Sequence, residues 1–337
     1  MRKNIAIVAG GNSSEYIVSV ESASNIKKSL DTRRYNSFLI TIKGKRWVLG
    51  TLDDPGPEID KNDFSVSLNG EKTAFDCVFM AIHGTPGEDG KLQAYFELLN
   101  IPYTTCGVLT SAVTFNKYMC KGFLNNFGIL SAKAMLVRRG YKFDPKKIAA
   151  AIGLPCFIKP NNGGSSFGVT RVTKESQIKD AVHKALMEDD EVIIEEFIEG
   201  TELTGGVIKT ADREILFPLT EIVSKNEFFD FDAKYNREAD EITPARISEK
   251  HTKECQEISS TIYDILDCRG IVRIDYILHD GKFYFLEVNT VPGMTDTSII
   301  PQQAEAIGMP TTELFTLAIE DAIEFSRSGR QYPSGSQ

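Results

Sequence analysis

The sequence predicts an α/β fold in its N-terminal part, with a parallel sheet that helices cover on both faces. Three near-continuous apolar segments, at 4–9, 38–42 and 76–82, are typical of strands buried in such a sheet. Helical patterns at 18–30 and 91–99 alternate with these strands. Because a crossover helix returns the chain to the same end of the sheet, this alternation favours parallel, Rossmann-like pairing.

Two polar segments follow strands of this predicted sheet and mark a candidate binding site. GGNSSEY at 10–16 follows the first strand, and HGTPGEDG at 83–90 follows the third. Ligands of open α/β sheets bind beyond the carboxyl ends of the strands, which is where both segments fall.

The rest of the chain predicts an α+β organisation in two further units. The second unit has helices at 110–126, 145–152 and 175–187, with strands at 156–159, 168–172 and 191–197. The third has strands at 202–209, 214–223, 271–278 and 282–289, a polar loop at 228–245, and helices at 249–266, 302–307 and 311–326. We therefore predict domains at 1–108, 109–196 and 197–328, followed by a polar, disordered tail at 329–337.

The composition is that of a globular protein and argues against two classes of partner. The 337 residues are 42% hydrophobic and carry a formal net charge of -9, whereas nucleic-acid binding needs a basic surface. The sequence contains no run of about 18 apolar residues, the length that could span a bilayer. The N-terminal MRKNIAIVAGG fits a first strand rather than a signal peptide. The six cysteines are scattered, which favours free thiols in a reducing compartment. We expect a cytoplasmic protein that binds neither nucleic acid nor membrane.

A glycine- and serine-rich loop lies within KPNNGGSSFGVTRV, which runs from Lys159 to Val172. It matches neither the P-loop nor the dinucleotide fingerprint, because the lysine precedes the glycines and the loop joins two strands. Glycines allow close backbone approach and serines add donors, so such a loop can fold over a triphosphate beside the charge of Lys159. The alternative is an ordinary hairpin loop with a surface lysine.

Three oxygen-bearing side chains on the last strand pair predict a magnesium site. Asp275, Glu287 and Asn289 fit badly in a core, and their oxygen ligands suit Mg²⁺, which takes the rest of its shell from water and phosphate. If 279–281 form a three-residue loop, Glu287 lies opposite Arg273 and all four polar side chains share a face. A two-residue turn would put the carboxylates on opposite faces. The alternative is a structural ion pair between Arg273 and Glu287.

Together these motifs resemble the ATP-grasp superfamily and, within it, the D-alanine–D-alanine ligase family. The matching segments span most of the chain: GGNSSEYIVSVESA, HGTPGEDGKLQAYFELLNIPYTTCG, NK at 116–117, KPNNGGSSFGV, IIEEFIEGTELT, FDFDAKY and RIDY…FLEVNTVPGMTDTSIIP. Each motif is weak by itself, whereas all of them in this order indicate the family. The resemblance implies a three-domain ATP-grasp fold with ATP held between the central and C-terminal domains.

The resemblance also implies the reaction and the ATP-binding residues. ATP would phosphorylate the carboxylate of one D-alanine, and the amine of a second would attack the acyl phosphate, giving a dipeptide for peptidoglycan precursors. The residues implied for ATP are Lys117, Lys159 and Lys234, then Glu195 with the backbone of Glu196, Phe197 and Ile198 around adenine, and Glu202 at the ribose. Asp275, Glu287 and Asn289 would bind two Mg²⁺ ions, or Mn²⁺ in their place.

Five residues are implied for the amino-acid substrates. Glu15 would bind the ammonium group of the first D-alanine, the alternative being an acid that favours the start of a helix. His83 would lie near the reacting amino acids, the alternative being a core or capping histidine. Arg273 and the amide of Gly293 would stabilise the tetrahedral intermediate. Ser298 would bind the carboxylate of the second D-alanine.

Two mobile segments are implied to close over the reaction. Ser165 and Tyr235, with Glu15, would tie the flap at 163–168 to the loop at 228–245 and exclude water from the acyl phosphate. The alternative for Tyr235 is an ordinary half-buried aromatic. Members of the family are commonly homodimers, so we expect a homodimer.

Three competing functions remain at this stage. The first is ligation of D-alanine to D-serine or D-lactate, and the tyrosine in the DAKY loop argues against D-lactate. The second is another ATP-grasp carboxylate–amine ligase, against which the combination of Glu15, His83 and Ser298 argues. The third is a nucleotide-binding protein without catalysis, which would be expected to lose Arg273 or a metal ligand.

Overall fold

Three β-sheets with helices packed against them organise the chain, at residues 3–80, 134–196 and 201–289. The computed structural model describes residues 2–164, 168–224 and 239–328. Ser165, Lys234, Tyr235 and the predicted tail lie outside the described residues. No helix in the described ranges has the length and apolar character needed to cross a membrane. The predicted domain boundaries stay a prediction.

The N-terminal sheet has a parallel core and an antiparallel extension. Its strands are β1 Lys3–Gly10, β2 Tyr35–Lys43, β3 Arg46–Gly50, β4 Pro55–Asp60, β5 Ser65–Leu68, β6 Glu71–Thr73 and β7 Cys77–Met80, in the order β6-β5-β4-β3-β2-β1-β7. The parallel pairing of β1 with β2 and with β7 confirms the predicted core. Strands β3 to β6 pair antiparallel and were not predicted, because β4 and β6 are mostly exposed and lack an apolar run.

Helices cover both faces of β1, as predicted. These helices are α1 Tyr16–Ser29, α2 Lys91–Leu98 and, from the end of the chain, a long helix at Thr311–Ser328. Ile5 and Ile7 pack with α1 and with Phe315 of the long helix, whereas Ala6 and Val8 pack in a second cluster with α2. Burial of each large apolar side chain contributes about 1.5–3 kcal/mol, so this layer holds the first sheet against the C-terminal part of the chain.

The central part is an antiparallel sheet with four helices. Its strands are β8 Ala134–Arg138, β9 Cys156–Pro160, β10 Thr170–Val172 and β11 Glu191–Glu196, in the order β10-β9-β11-β8. Its helices are α3 Val108–Phe115, α4 Lys117–Asn125, α5 Pro145–Ile152 and α6 Ile178–Ala185. The helix predicted at 110–126 is wrong as a single helix, because Asn116 is extended (φ -89°, ψ 97°) and its side chain accepts from the Met119 amide to cap α4. The break places Lys117 first in α4.

The C-terminal sheet carries the predicted strand pair. Its strands are β12 Thr201–Lys209, β13 Glu214–Leu216, β14 Thr220–Ser224, β15 Ala239–Ile242, β16 Val272–His279 and β17 Lys282–Asn289, ordered β15-β14-β12-β16-β17 with β13 beside β12. Its helices are α7 Glu249–Ile265, α8 Ile299–Ala306 and α9, which is the long helix Thr311–Ser328. Ser248 caps α7 by accepting from the His251 amide at 3.2 Å.

Of the two turns that the sequence left open between β16 and β17, the structure has the two-residue one. His279 pairs with Lys282, so Asp280 and Gly281 alone form the turn. Both turn residues have positive φ, 47° and 72°, as a two-residue turn of this hairpin class requires. By itself this turn would put the two carboxylates on opposite faces of the sheet.

A β-bulge restores the shared face. Tyr276 pairs with Phe285, but the preceding residue, Asp275, pairs with Glu287. The register therefore shifts by one residue between Asp275 and Tyr276, and Leu286 is left without a partner in the pairing. Residues directly opposite each other in an antiparallel pair point to the same face. Asp275 and Glu287 therefore share a face, although Glu287 lies opposite Asp275 and not opposite Arg273, as the three-residue loop would have required.

Candidate active site

A cavity of about 1120 Å³ is lined by all three parts of the chain. Its walls are formed by the loops that follow β1 and β7, by the start of α4, and by residues of the central and C-terminal sheets. The predicted site residues that line it are Glu15, Lys117, Lys159, Glu195, Glu196, Phe197, Ile198, Glu202, Asp275 and Glu287. His83, Arg273, Asn289, Gly293 and Ser298 do not line it.

Lys117 links the base of the flap to the predicted metal site. Its side chain is 9% exposed, its Nζ donates to the carbonyl oxygen of Gly163, and the same Nζ lies 3.4 Å from Glu287 Oε2. This places a cation between the glycine-rich loop and a carboxylate, at one side of the cavity. Such a charge can bind a phosphate group that lies between the two.

Glu195 lies between two lysines in the floor of the cavity. Lys159 Nζ is 2.6 Å from its Oε2, and Lys121 Nζ is 2.6 Å from its Oε1. Burial alone would raise the pKa of Glu195, but the two ammonium groups outweigh it and lower that pKa to about 2. The carboxylate is therefore ionised at every pH well above 2, including neutral pH.

An apolar wall lies beside this ion pair. The ring of Phe197 packs 5.9 Å from that of Phe157, and the guanidinium of Arg171 lies 4.8 Å from the centre of the Phe197 ring. Glu196 directs its carboxylate to Lys133, accepting from the Lys133 amide at 2.8 Å. The cavity here has the apolar walls and few polar groups that a planar base needs.

Asp275 is held in place by two neighbours at the face of β16. Arg273 donates to it from two nitrogens, at 2.9 and 2.7 Å, and Thr204 Oγ1 donates to Oδ1. Burial opposes the charge of Arg273, but Asp275 and then Glu287 outweigh it and raise the pKa of the guanidinium. The ion pair in the structure thus joins Arg273 to Asp275, not to Glu287 as the alternative interpretation supposed.

The donor set at this face fits a magnesium ion that also binds phosphate. Asp275 and Glu287 are opposite each other, and Asn289 continues the same face and lines a small cavity with Lys117 and Glu287. Across the described ranges no group of three or more His, Cys, Asp and Glu side chains could hold a metal ion by itself. Two carboxylates and an amide leave room for water and phosphate oxygens, which is how Mg²⁺ is usually bound.

Glu15 approaches the glycine-rich loop from the N-terminal sheet. It immediately precedes α1, and a Cβ added to Gly164 would lie 2.9 Å from its Oε2. A side chain at position 164 would therefore displace the carboxylate. Glycine at this position allows the loop to approach Glu15 closely.

His83 is buried behind the cavity. Its Nε2 lies 3.4 Å from Ser22 Oγ, and Ser22 Oγ accepts from the amide of Met294 at 3.2 Å. The histidine therefore lies on a polar path to the turn that contains Gly293.

Gly293 and Ser298 lie together at the start of α8. A Cβ added to Gly293 would lie 2.9 Å from Ser298 Oγ. Ser298 Oγ accepts from the amide of Thr295 at 3.0 Å and lies 2.7 Å from Thr295 Oγ1. The backbone of this turn and the serine hydroxyl thus form a compact polar group.

Sequence analysis missed two buried ionic residues of this region. Lys121 follows Lys117 by one helical turn on α4, a spacing that places both on one side of the helix but is common in ordinary helices. Glu88, in the HGTPGEDG segment, accepts from the amide of Gly84 at 2.6 Å, and burial, with the nearby charge of Glu15, raises its pKa. Neither residue type nor spacing distinguished them from surface charges.

Comparison with known proteins gives a consistent set of relatives. The profile of the D-ala D-ala ligase N-terminus matches residues 4–106, and that of the D-ala D-ala ligase C-terminus matches residues 123–320. The D-alanine–D-alanine ligase of Bacteroides fragilis is 51% identical over 322 residues, covering 95% of this chain and 99% of the relative. That of Flavobacterium johnsoniae is 47% identical over 318 residues, with coverage of 94% and 98%.

Solved structures agree with this similarity. The VanG D-Ala:D-Ser ligase of Enterococcus faecalis superposes with a TM-score of 0.84 at 32% identity, covering 97% of this chain and all of that one. The D-alanine–D-alanine ligase of Bacillus anthracis complexed with ATP superposes with a TM-score of 0.77 at 25% identity, with coverage of 97% and 99%.

Proposed function

This chain belongs to the D-alanine–D-alanine ligase family, and from that premise we propose how its residues divide the reaction. It is an ATP-dependent ligase that joins two D-alanines for cell-wall synthesis. The observation that supports the division of roles is that one cavity brings together Glu15, Lys117, Lys159 and the Asp275–Glu287 pair. A flap-side cation, a buried cation and a carboxylate pair are the groups that phosphoryl transfer needs.

The nucleotide half of the site is assigned to the central and C-terminal sheets. Lys117 and Lys159 bind phosphate oxygens, and Glu195 with the apolar wall at Phe197 holds adenine. Glu202, which lines the cavity, accepts from the ribose hydroxyls. Asp275 and Glu287, with Asn289, would hold two Mg²⁺ ions, which would neutralise charge that develops on the transferred phosphoryl group. A carboxylate oxygen of the first D-alanine takes the γ-phosphoryl group, and ADP leaves.

The amino-acid half is assigned to the residues between α1, β16 and α8. Glu15 binds the ammonium group of the first D-alanine, and Ser298 binds the carboxylate of the second. The amine of the second D-alanine attacks the acyl carbon, and phosphate leaves with the electrons of the broken C–O bond. Arg273 and the Gly293 amide stabilise the oxyanion of that step, since donors aimed at developing charge lower the barrier.

His83 is assigned a place near the reacting amino acids rather than the role of the base. Its contact with Ser22, and through it with the Met294 amide, ties it to the turn of the proposed oxyanion donor. Ser165, Tyr235 and Lys234 keep the roles that the family resemblance implies for them, as proposals.

D-serine is the competing second substrate, because a D-Ala:D-Ser ligase is among the structural neighbours. Its sequence identity to this chain is 32%, against 46% to 51% for curated D-alanine–D-alanine ligases. The higher identity favours D-alanine as the second substrate. Mass analysis of products formed when D-alanine, D-serine and D-lactate compete will measure this preference.

The direct test of the proposed function is ADP release with D-alanine as the sole amino acid. We expect release that depends on both D-alanine and Mg²⁺, together with a product of the mass of the dipeptide. ADP release that is independent of D-alanine would contradict the assignment of the amino-acid half.

Gly293→Ala is expected to raise the KM of the second D-alanine by about tenfold, since the added Cβ displaces Ser298 Oγ and small misplacements are costly at a reacting centre. The KM of ATP should stay within twofold. Steady-state kinetics with D-alanine varied at saturating ATP measure the first constant, and kinetics with ATP varied at saturating D-alanine measure the second. Gly122→Ala is the control, because a Cβ at that position of α4 meets nothing within 4 Å. An unchanged KM for D-alanine in Gly293→Ala would refute the placement of Ser298.

We also propose a cytoplasmic homodimer. Phe123 and Phe127 are exposed and lie four residues apart, at the end of α4 and just beyond it, with ring centres 5.2 Å apart, which puts apolar surface on one side of the helix. A second copy of the chain is the occupant proposed for this surface. Light scattering of the purified protein is expected to give twice the mass of the chain, and a monomer at micromolar concentration would contradict it.

A further inference from the structure

Lys121 is a buried lysine that the roles assigned above do not use. Its side chain is 3% exposed, and its Nζ donates to the carbonyl oxygen of Phe285 at 3.3 Å besides its contact with Glu195. Burial lowers the pKa of Lys121, and the carboxylate of Glu195 opposes that shift. A buried ammonium group is costly unless it is paired, so this lysine and Glu195 depend on each other.

The carboxylate of Glu195 has one lysine beside each of its oxygens. Lys121 Nζ lies 2.6 Å from Oε1, and Lys159 Nζ lies 2.6 Å from Oε2. The Glu195 side chain is 4% exposed and the residue lines the large cavity. Each oxygen of an ionised carboxylate can accept more than one hydrogen bond, so Glu195 can also accept from a donor on a ligand in the cavity.

We propose that Lys121 is a positioning residue that selects adenine, because it holds Glu195 as an acceptor-only carboxylate for the exocyclic amine of the base. The inference rests on the proposed placement of Glu195 at adenine. An ionised carboxylate accepts hydrogen bonds and donates none, so it binds an amine and repels a carbonyl oxygen. Hypoxanthine carries that carbonyl in place of the amine and a hydrogen on N1, where adenine has an acceptor, and is otherwise the same base.

Two cations, Lys121 and Lys159, contact Glu195 in this structure, but Lys159 is also proposed to bind the phosphates. Lys159 is assigned to the phosphates, and its ammonium group moves away from Glu195 if it follows them. Lys121 then remains beside the carboxylate, because its position on α4 directs it to Glu195 and not to the phosphate side. Without Lys121 the buried carboxylate would take up a proton, and the acid could donate to a carbonyl.

The test compares ATP with inosine triphosphate as phosphoryl donors at saturating D-alanine. We expect the wild-type protein to prefer ATP in kcat/KM by at least about tenfold, and Lys121→Met to lose most of that preference. The loss should lie in the KM of the nucleotide, while the KM of D-alanine stays unchanged. Lys121→Arg keeps the charge and should keep the preference.

Glu195→Gln tests the same contact if Lys121→Met does not fold. The amide of glutamine can donate as well as accept, so this variant should use inosine triphosphate at least as well as ATP. Lys209→Met is the matched control, since Lys209 is a largely buried lysine outside the cavity whose Nζ pairs with Asp264 at 2.7 Å and Glu214 at 2.9 Å. The Lys209→Met variant should be less stable than the wild type but keep the wild-type nucleotide ratio, which is kcat/KM for ATP divided by kcat/KM for inosine triphosphate.

The outcomes separate this inference from the function on which it rests. A wild-type nucleotide ratio in both Lys121→Met and Glu195→Gln would overturn the selection of adenine and leave the ligase assignment untouched. A wild-type protein that ligates D-alanine equally well with both nucleotides would overturn the inference and the placement of Glu195. Absence of D-alanine-dependent ADP release would instead overturn the proposed roles themselves.

Discussion

Glu287→Gln is expected to lower Mg²⁺-dependent turnover by about 10²–10³-fold while the fold stays intact. Glutamine keeps the size of the side chain but removes the charge that the proposed Mg²⁺ site needs, which lies 3.4 Å from Lys117 Nζ. The loss should be largest at low Mg²⁺ and partly recovered at high Mg²⁺, because the affinity for the ion falls first. D-alanine-dependent ADP release across a Mg²⁺ titration measures it.

The matched control for this substitution is Glu214→Gln. Glu214 is a partly exposed carboxylate on the same sheet, paired with Lys209 at 2.9 Å and remote from the cavity lining. It should leave turnover within twofold of wild type, and thermal unfolding should show both variants folded. Wild-type turnover of Glu287→Gln at every Mg²⁺ concentration would rule out the metal role.

Arg273→Lys is expected to lower kcat by about 100-fold with a smaller change in the KM of ATP. Arg273 donates two hydrogen bonds to Asp275 in a geometry that lysine cannot reproduce, since an ammonium group lacks the planar fork. The substitution therefore loosens Asp275, a proposed metal ligand, and removes the proposed oxyanion donor, although the charge is kept. Steady-state kinetics with ATP as the varied substrate at saturating D-alanine separate the two constants.

Arg33→Lys is the control substitution, because Arg33 also makes two hydrogen bonds to an aspartate two residues away in sequence. Arg33 donates to Asp31 at 3.0 and 2.9 Å, two residues away in sequence as in the Arg273–Asp275 pair, but on the surface. Surface ion pairs contribute little, so this variant should match wild type in activity and nearly match it in stability. A kcat for Arg273→Lys within threefold of wild type would contradict the role proposed for Arg273.

Apolar patterning was sufficient to predict the parts of the fold that are buried on both faces. Strands β1, β2 and β7 have near-continuous apolar runs, and each was predicted with its parallel pairing. The exposed strands β4 and β6 have no such run, so the antiparallel extension of the first sheet could not be seen. The break at Asn116 depends on one residue's backbone angles, which helical periodicity does not report.

The sequence by itself determined which chemistry is available in this protein. The identity and order of the carboxylates, lysines and glycines indicated the family and the reaction. The chemical groups of these side chains are the same wherever the fold places them. Alternation along a strand also determined that Arg273 shares a face with Asp275, and Glu287 with Asn289.

Only the tertiary structure decided how those groups meet. A one-residue shift in register moves a strand's side chains to the other face, and here a two-residue turn followed by a bulge returns Glu287 to the face of Asp275. Packing of α4 against the central sheet likewise brings Lys121 to Glu195, a contact between distant segments that no local pattern encodes. Local patterns set the face of each residue within its own element, whereas register and helix packing are set by the sum of contacts across the whole chain.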